Sequence, residues 1–302
     1  MNNANRDQRQ RFLFEDSDIR GEILSLEGSY QTILEKTDHP TPIARLLGEF
    51  LAGVCLLSGT LKFEGSIALQ ASGQGLIRLI MAECTRHQHV RAIAQTRPEH
   101  LAALDTKAAS GAMPGLKTLL GANATLAVTI HPDKGERYQG IIPIETDSLS
   151  QCLQSYFHQS EQLATGIWLS ADQGRAAGLL IQALPEGKQS SDDRQNHWRY
   201  LCHIASTLSA KEQLQLNHTA LLRRLFHDQS LRLFEAAGIT FSCTCSIDRT
   251  LGALISFGEA ELEAMLEQTE PIEVTCEFCH HHYHFNRRDI EAGLKNSPTT
   301  MH

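Results

Sequence analysis

Apolar residues at helical spacing define two predicted helices in the first half of the chain. Thr41-Pro42 supplies a capping hydroxyl and a proline at the first helical position, a pattern typical of a helix start. Apolar residues then recur every three or four positions, which predicts a core helix: Ile43, Leu46, Leu47, Phe50, Val54 and Leu57. The same spacing predicts a second amphipathic helix through Leu149, Leu153, Tyr156 and Phe157.

Alternation of apolar and polar residues predicts several strands. Residues 65–70 and 125–130 alternate in this way. The turn residues of 131–140 (HPDKGERYQG) predict a hairpin into Tyr138–Ile144, and further strands are expected near Ile167 and Leu169 and over Leu179–Leu184. Strands outnumber helices and hairpin signals are frequent. We therefore expect residues 1–188 to form an α+β domain, mixed in content, with a largely antiparallel sheet.

A polar stretch, residues 188–196 (KQSSDDRQN), predicts a loop or linker. Leucines and phenylalanines at helical spacing follow from Trp198 to Glu235, and Gly238 is a plausible helix terminator. These apolar residues are too few for a core of their own, so they must pack on another part of the chain. The sequence thus predicts a helical linker domain at 189–238 and a small C-terminal domain at 239–302, which contains the clustered cysteines described below.

Length and composition set the broad class. The chain has 302 residues, which predicts more than one domain, and it is 41% hydrophobic and 21% charged, as is ordinary for a globular protein. The polar N-terminus lacks a signal peptide, and no run approaches the roughly eighteen apolar residues needed to cross a bilayer. We therefore expect a cytoplasmic protein that does not enter a membrane. In that compartment the eight cysteines do not predict a disulfide framework.

Four cysteines near the C-terminus carry the strongest chemical signal. Cys243 and Cys245 form one close pair, and Cys276 and Cys279 form a second pair thirty residues later. Two such pairs supply the four thiolates of a tetrahedral zinc site. The acidic segment between them, 257–268, has a helical pattern with Leu262, Met265 and Leu266 on one side. The other cysteines, Cys55, Cys84, Cys152 and Cys202, are isolated and are interpreted as core or inert residues.

The zinc-binding segment has little apolar core of its own, so loss of the metal should unfold it. Oxidation would have that effect, because disulfides cannot hold the metal, and each pair is close enough in sequence to bridge locally. His280, His281, His282 and His284 follow the second pair. They are either spare ligands, a pH-sensitive feature or a solvated tail, since four cysteines already complete a tetrahedron.

Two other functions are also compatible with two close cysteine pairs. A zinc-ribbon nucleic-acid module would need basic residues near the metal, but the formal net charge is -8 and residues 239–302 carry ten acidic and four basic residues. A thiol-disulfide oxidoreductase using Cys276 and Cys279 would usually place that motif in a βαβ fold and would not need a second pair. No nucleophile–base pair, phosphate loop or HExxH motif is evident elsewhere, so we expect a protein that is neither an enzyme nor a nucleic-acid binder.

Short motifs along nearly the whole chain resemble the redox-regulated chaperone family called heat-shock protein 33 (33 kDa chaperonin). The cysteine arrangement CxC, about thirty residues, then CxxC is the first of them. The others are RGE at 20–22, LKFEG at 61–65, GERYQG at 135–140, YFxxSEQL at 156–163, FSCTCS at 241–246, and Tyr283 and Phe285 after the CxxC. The histidine run after Cys279 departs from the family, where glycine often stands, and bears on the loop geometry and metal selectivity.

The resemblance implies an ATP-independent holdase of the bacterial cytoplasm that protects unfolding client proteins from aggregation under oxidative stress. It implies one zinc ion on Cys243, Cys245, Cys276 and Cys279 in an inactive, reduced form. It also implies that oxidation pairs Cys243 with Cys245 and Cys276 with Cys279, releases zinc, unfolds the switch and the linker, and exposes a client-binding surface. Active members are homodimers.

Overall fold

The computed structural model describes residues 6–15, 17–60, 64–100, 113–185 and 191–296. Leu61, Lys62 and Phe63 of the LKFEG motif, and the start of the predicted linker up to residue 190, lie outside the described residues. The chain divides into two compact units, Met1–Ser242 and Cys243–His302.

The described part of the first unit contains eleven strands. In chain order they are β1 (Gln8–Phe14), β2 (Ile19–Leu26), β3 (Gly65–Ser72), β4 (Ile77–Thr85), β5 (His89–Thr96), β6 (Thr125–Pro132), β7 (Tyr138–Pro143), β8 (Thr165–Ala171), β9 (Ala176–Ala183), β10 (Leu231–Gly238) and β11 (Thr240–Phe241). The helices of this unit are α1 (Gly28–Leu34), α2 (Thr41–Ser58), α3 (Leu116–Leu120), α4 (Leu149–Tyr156), α5 (Ser191–Ala205), α6 (Ala210–Gln215) and α7 (His218–Leu225).

The described strands of the first unit form two sheets. One has the order β10-β1-β2-β9-β8 and is antiparallel throughout. The other has the order β11-β5-β4-β3-β6-β7 and is antiparallel except where the short β11 runs parallel to β5. The predicted hairpin is present as β6 and β7. The expected α+β class with largely antiparallel pairing is confirmed, with two sheets in place of one.

Helix α2 packs against strands of both sheets and is the centre of the main core. It is long and apolar enough to cross a membrane by length and composition, contrary to the expectation from the sequence, but 83% of it is buried inside the protein. It therefore has the role of a core helix. The helix begins where the sequence predicts, but Thr41 does not cap it. Pro40 is the N-cap, and the Thr41 hydroxyl accepts a hydrogen bond from Gln173 Nε2 at 2.6 Å.

Helices α5, α6 and α7 cover the five-stranded sheet, as the amphipathic pattern requires. The apolar side chains of α5 and α7, with Phe226, form a second core with residues of β1, β2 and β9, and Leu208 and Leu216 on either side of α6 pack against it. Its buried members are Phe12, Phe14, Ile19, Ile23, Leu179, Ile181, Leu201, Ala205, Leu221, Leu222, Leu225 and Phe226. Buried polar contacts add to this packing: Ser170 donates to Gln213 Oε1 at 2.7 Å, and Gln213 Nε2 donates to the Trp168 carbonyl at 2.8 Å.

Two expectations for this region are wrong. Residues 191–196, predicted as a loop, form the start of α5. Asp192 and Asp193 lie in its first turn, where their negative charges interact favourably with the positive end of the helix dipole. Residues 231–238, predicted as the end of a helix with its terminator, form β10. Leu231 and Leu233 pack on the second core with a period of two, and β1 supplies the hydrogen-bonding partner.

The second unit is small. It contains α8 (Ile247–Ile255), α9 (Glu259–Gln268), the hairpin of β12 (Ile272–Thr275) and β13 (His282–Phe285), and α10 (Arg287–Asn296). Helix α9 confirms the helix predicted between the cysteine pairs. Its Leu262 and Leu266 are buried, and the described residues of this unit form a buried core of Leu254, Leu262, Leu266, Ile272, Tyr283, Phe285 and Ile290.

Candidate metal centre

Two short loops bring the four predicted cysteines together. Cys243 and Cys245 precede α8, whose N-cap Ser246 accepts a hydrogen bond from Arg249 N, and Cys276 and Cys279 lie in the turn between β12 and β13. The four sulfur atoms lie within 4.8 Å of one another. The hydrogen-bonding contacts join opposite pairs: Cys243 Sγ to Cys276 Sγ at 3.7 Å, and Cys245 Sγ to Cys279 Sγ at 3.4 Å.

The donor set fits a zinc ion. Zn–S bonds of about 2.3 Å in a tetrahedron place neighbouring sulfurs about 3.8 Å apart, which falls within the observed range. Four thiolates are also the ligands that structural zinc prefers over harder cations. The four cysteines could therefore hold one metal ion by small adjustments of their side chains.

The second cysteine loop is a tight turn closed by the backbone. Cys276 N donates to the His281 carbonyl at 2.9 Å, and His280 N donates to the Cys276 carbonyl at 2.8 Å. His280 has φ of +57°, in the left-handed region that glycine enters without a Cβ penalty. Histidine at this position therefore leaves the turn in place but adds strain at one residue.

One side chain outside the four cysteines contacts their sulfurs directly. The Tyr283 hydroxyl donates to Cys245 Sγ at 3.1 Å. Partial burial acts to raise the pKa of Cys245, but hydrogen bonds from Tyr283 and the other thiols outweigh it and lower that pKa to about 7. Burial raises the pKa of Cys243, and it raises the pKa of Cys279 to about 12. Cys245 is thus the cysteine of these three that ionises most readily before a metal binds.

The site is continuous with the small core beneath it. Cys245 and Cys276 are half-buried and pack against the seven buried apolar residues of the second unit. Tyr283 takes part in both, since its ring belongs to that core and its hydroxyl contacts a sulfur. Disturbing the sulfurs therefore disturbs the packing of the whole unit.

The histidines near the site have other contacts. His282 Nδ1 lies 2.6 Å from Glu273 Oε1 and 3.1 Å from Thr275 Oγ1, and the His281 ring stacks edge-on against Tyr283 with centroids 4.6 Å apart. Among the described residues, the group that could hold a metal contains the four cysteines and no histidine.

The remaining cysteines belong to the first unit. Cys55 on α2, Cys84 on β4 and Cys152 on α4 are buried, and Cys202 on α5 is half-buried. Burial raises the pKa of Cys202 to about 11, which keeps it a thiol. Sequence reasoning missed that Cys55 and Cys84 hydrogen-bond to each other in the core, because their strand and helix meet only in the folded unit. It also missed the role of Tyr283 toward Cys245.

Similarity to known proteins covers nearly the whole chain. The family model described as "Hsp33 protein" matches residues 7–286. The chain belongs to the Hsp33 family. It is 42% identical over 303 residues to the 33 kDa chaperonin of Pseudomonas paraeruginosa, covering 98% of this chain and 99% of that one. It is 44% identical over 283 residues to the 33 kDa chaperonin of Azotobacter vinelandii, covering 93% and 92%.

A solved structure has the same fold. The crystal structure of the 33 kDa chaperonin of Thermotoga maritima matches with a TM-score of 0.78 at 20% identity, covering 96% of this chain and 98% of that one. Membership of the Hsp33 family assigns this chain a chaperone role.

Proposed function

We propose that this protein is an ATP-independent holdase whose client-binding surface is controlled by the oxidation state of Cys243, Cys245, Cys276 and Cys279. The observation that carries the proposal is the convergence of these four sulfurs within 4.8 Å. Family membership supports the chaperone role, and the chemistry of the thiol site supports redox control.

In the reduced form, the four cysteines would hold one zinc ion, which supplies cross-links between two loops far apart in sequence. The described residues of the second unit include only seven that are apolar and buried. So small a core supplies little stability without a metal or another cross-link. Metal binding and folding of this unit are therefore expected to be coupled, and the zinc-bound protein is the inactive form.

In the oxidised form, the four cysteines are joined in two disulfides and no longer act as thiolate ligands. By resemblance to the family these are Cys243–Cys245 and Cys276–Cys279. Each bond forms when two thiols lose two protons and two electrons to an oxidant such as a peroxide, which is reduced to water. A disulfide sulfur no longer binds zinc as a thiolate does, and bridges this local restrain the unfolded chain little. The second unit then unfolds.

The apolar surface for clients would come from the linker and the sheet beneath it. Among the described residues, α5 and α7, with Phe226, share a core of twelve buried apolar residues with β1, β2 and β9. The chain leaves this region through β10 and β11 and enters the second unit at Cys243. We propose that unfolding of the second unit releases the linker segment, and that the uncovered surface binds unfolding proteins in a homodimer in the bacterial cytoplasm.

Zinc stoichiometry and chaperone activity measured on the same samples test this function. We expect one zinc per chain in reduced protein and none after peroxide treatment, with suppression of client aggregation only in the second state. Cys279→Ser should lose zinc without oxidation, whereas Cys202→Ser, which alters a cysteine outside the site, should keep it. Activity in a form that retains its full zinc would contradict the mechanism.

A nucleic-acid module and a thiol-disulfide oxidoreductase would each give a different measurable outcome. A nucleic-acid module would show salt-dependent binding to DNA or RNA, and an oxidoreductase would turn over a disulfide substrate. The many carboxylates of the second unit oppose phosphate contact. We therefore propose a non-enzymatic protein whose partners are other polypeptides.

A further inference from the structure

His218 occupies an unusual place in the linker. It is the first residue of α7, directly after the N-cap Asn217, and only 5% of it is exposed. Its Nδ1 lies 3.3 Å from Gln10 Oε1 on β1. The imidazole therefore sits at the contact between the linker helices and the five-stranded sheet, where a charge would be far from water.

Hydrogen bonding fixes which form of the ring this site accepts. Gln10 Nε2 donates to the Phe234 carbonyl on β10 at 2.8 Å, which turns Gln10 Oε1 toward the histidine. An amide oxygen only accepts, so His218 Nδ1 carries the proton and donates. Nε2 is then a bare lone pair, and it is buried with no hydrogen-bond partner among the described residues. The site is built for the neutral imidazole.

A proton on Nε2 would meet an unfavourable environment. It would create a buried donor without an acceptor and a positive charge at the positive end of the helix dipole. Burial accordingly lowers the pKa of His218 to about 4. The charged groups of the neighbouring elements are either paired with other partners or exposed. The paired groups are Arg6 with Glu27 and with the carbonyls of Leu214 and Gln215, Arg9 and Arg11 with Glu22, Arg224 with Glu212, and Arg232 with Glu15. Arg223 and Glu235 are exposed.

We propose that His218 makes docking of the linker acid-sensitive: protonation of its Nε2 in mild acid releases α6 and α7 from the sheet and exposes the apolar surface beneath them without any oxidation of cysteine. The proton comes from solvent and no covalent bond changes. This second trigger acts on the same surface as the proposed function but at a different residue, so the two can fail separately.

The expected sign follows from linkage. A histidine with a lowered folded pKa opposes folding as the pH falls through its unfolded value of about 6.5 toward about 4. At pH 5 the released form should be favoured about 20-fold more than at neutral pH, if His218 alone titrates. Release should therefore become measurable between pH 6 and 4.5 in reduced, zinc-loaded protein.

Apolar-dye binding and amide exchange of α6 and α7, corrected for intrinsic rates and followed from pH 7.5 to 4.5, test the proposal. Zinc content is measured on every sample. His218→Gln keeps a donor for Gln10 but cannot titrate, and His203→Gln alters an exposed histidine of α5 as a matched control. We expect wild type and His203→Gln to open together and His218→Gln to open at a pH lower by at least half a unit.

Equal opening of wild type and His218→Gln would overturn the proposal and leave the redox function untouched. If His218→Gln fails to fold, deuterium uptake at the imidazole C2 of wild-type His218 decides the matter. A titration midpoint below about 5 is expected from the buried, unpartnered Nε2, and a midpoint near 6.5 would overturn the proposal.

Discussion

The Tyr283 hydroxyl donates a hydrogen bond to Cys245 Sγ over 3.1 Å, linking β13 to the first cysteine loop. Groups that hydrogen-bond to metal ligands commonly set the affinity of a metal site by about 10- to 100-fold. Tyr283 also keeps its ring in the core of the second unit. Its hydroxyl and its ring can therefore be separated by a single substitution.

Tyr283→Phe should raise the pKa of Cys245 above about 7, because the thiolate loses a donor. The variant should bind zinc about tenfold more weakly at neutral pH, with less difference at higher pH where the thiol ionises anyway. Competition with a chelator measures the affinity, and thiolate absorbance of metal-free protein measures the pKa. Tyr200→Phe, which removes a hydroxyl bonded to Asp228 in the first unit, is the control. Unchanged zinc affinity in Tyr283→Phe would show that the bond plays no part.

His280→Gly should stabilise the zinc-loaded second unit by about 0.5–1 kcal/mol. The left-handed backbone at φ +57° costs a residue with a Cβ more than it costs glycine, and the greater freedom of glycine in the unfolded chain offsets part of the gain. Denaturant unfolding of reduced protein provides the measurement. His284→Gly, in the adjacent strand β13, is the matched control and should destabilise instead. A loss of stability in both variants would mean that strain at His280 is negligible.

Gln213→Ala should weaken docking of the linker by about 1–3 kcal/mol. It removes the partner of the buried Ser170 hydroxyl and of the Trp168 carbonyl. The reduced variant should bind more apolar dye than wild type and protect clients before oxidation. Gln215→Ala changes an exposed residue at the end of the same helix and should behave as wild type. If dye binding stays at the wild-type level while stability falls, the linker is not the client-binding element.

Glu49→Gln should remove a pH dependence from the first unit. Burial raises the pKa of Glu49 to about 7, against the attraction of Arg45. The folded state thus holds a proton that the unfolded chain releases near its ordinary value of 4.5. Stability should fall as the pH rises from about 4.5 to about 7, and the variant should gain about 3 kcal/mol over wild type at pH 8. Thermal or denaturant unfolding across this range, with the exposed Glu35→Gln as control, measures the effect. Parallel pH profiles for wild type and Glu49→Gln would refute it.

Sequence reasoning was most successful where the signal is local. The spacing of Cys243, Cys245, Cys276 and Cys279 predicted the convergence of four sulfurs, and periodicity predicted α2, α4 and α9. It failed at β10, where the strand is stabilised by β1, more than two hundred residues away in sequence. It also missed the pairs Tyr283–Cys245 and His218–Gln10, since only tertiary packing brings these side chains together.

The pairing of β1 with β10 has a consequence for how the chain is made. Gln8 lies opposite Gly238, so the first strand to leave a ribosome waits for one of the last strands of its unit. Until then β1 has β2 as a partner on one side and an unpaired edge on the other, and such edges can recruit strands of other chains. Pairings this distant form slowly. During synthesis the edge of β1 is therefore open to strands of other chains until β10 pairs with it and becomes the new edge of the sheet.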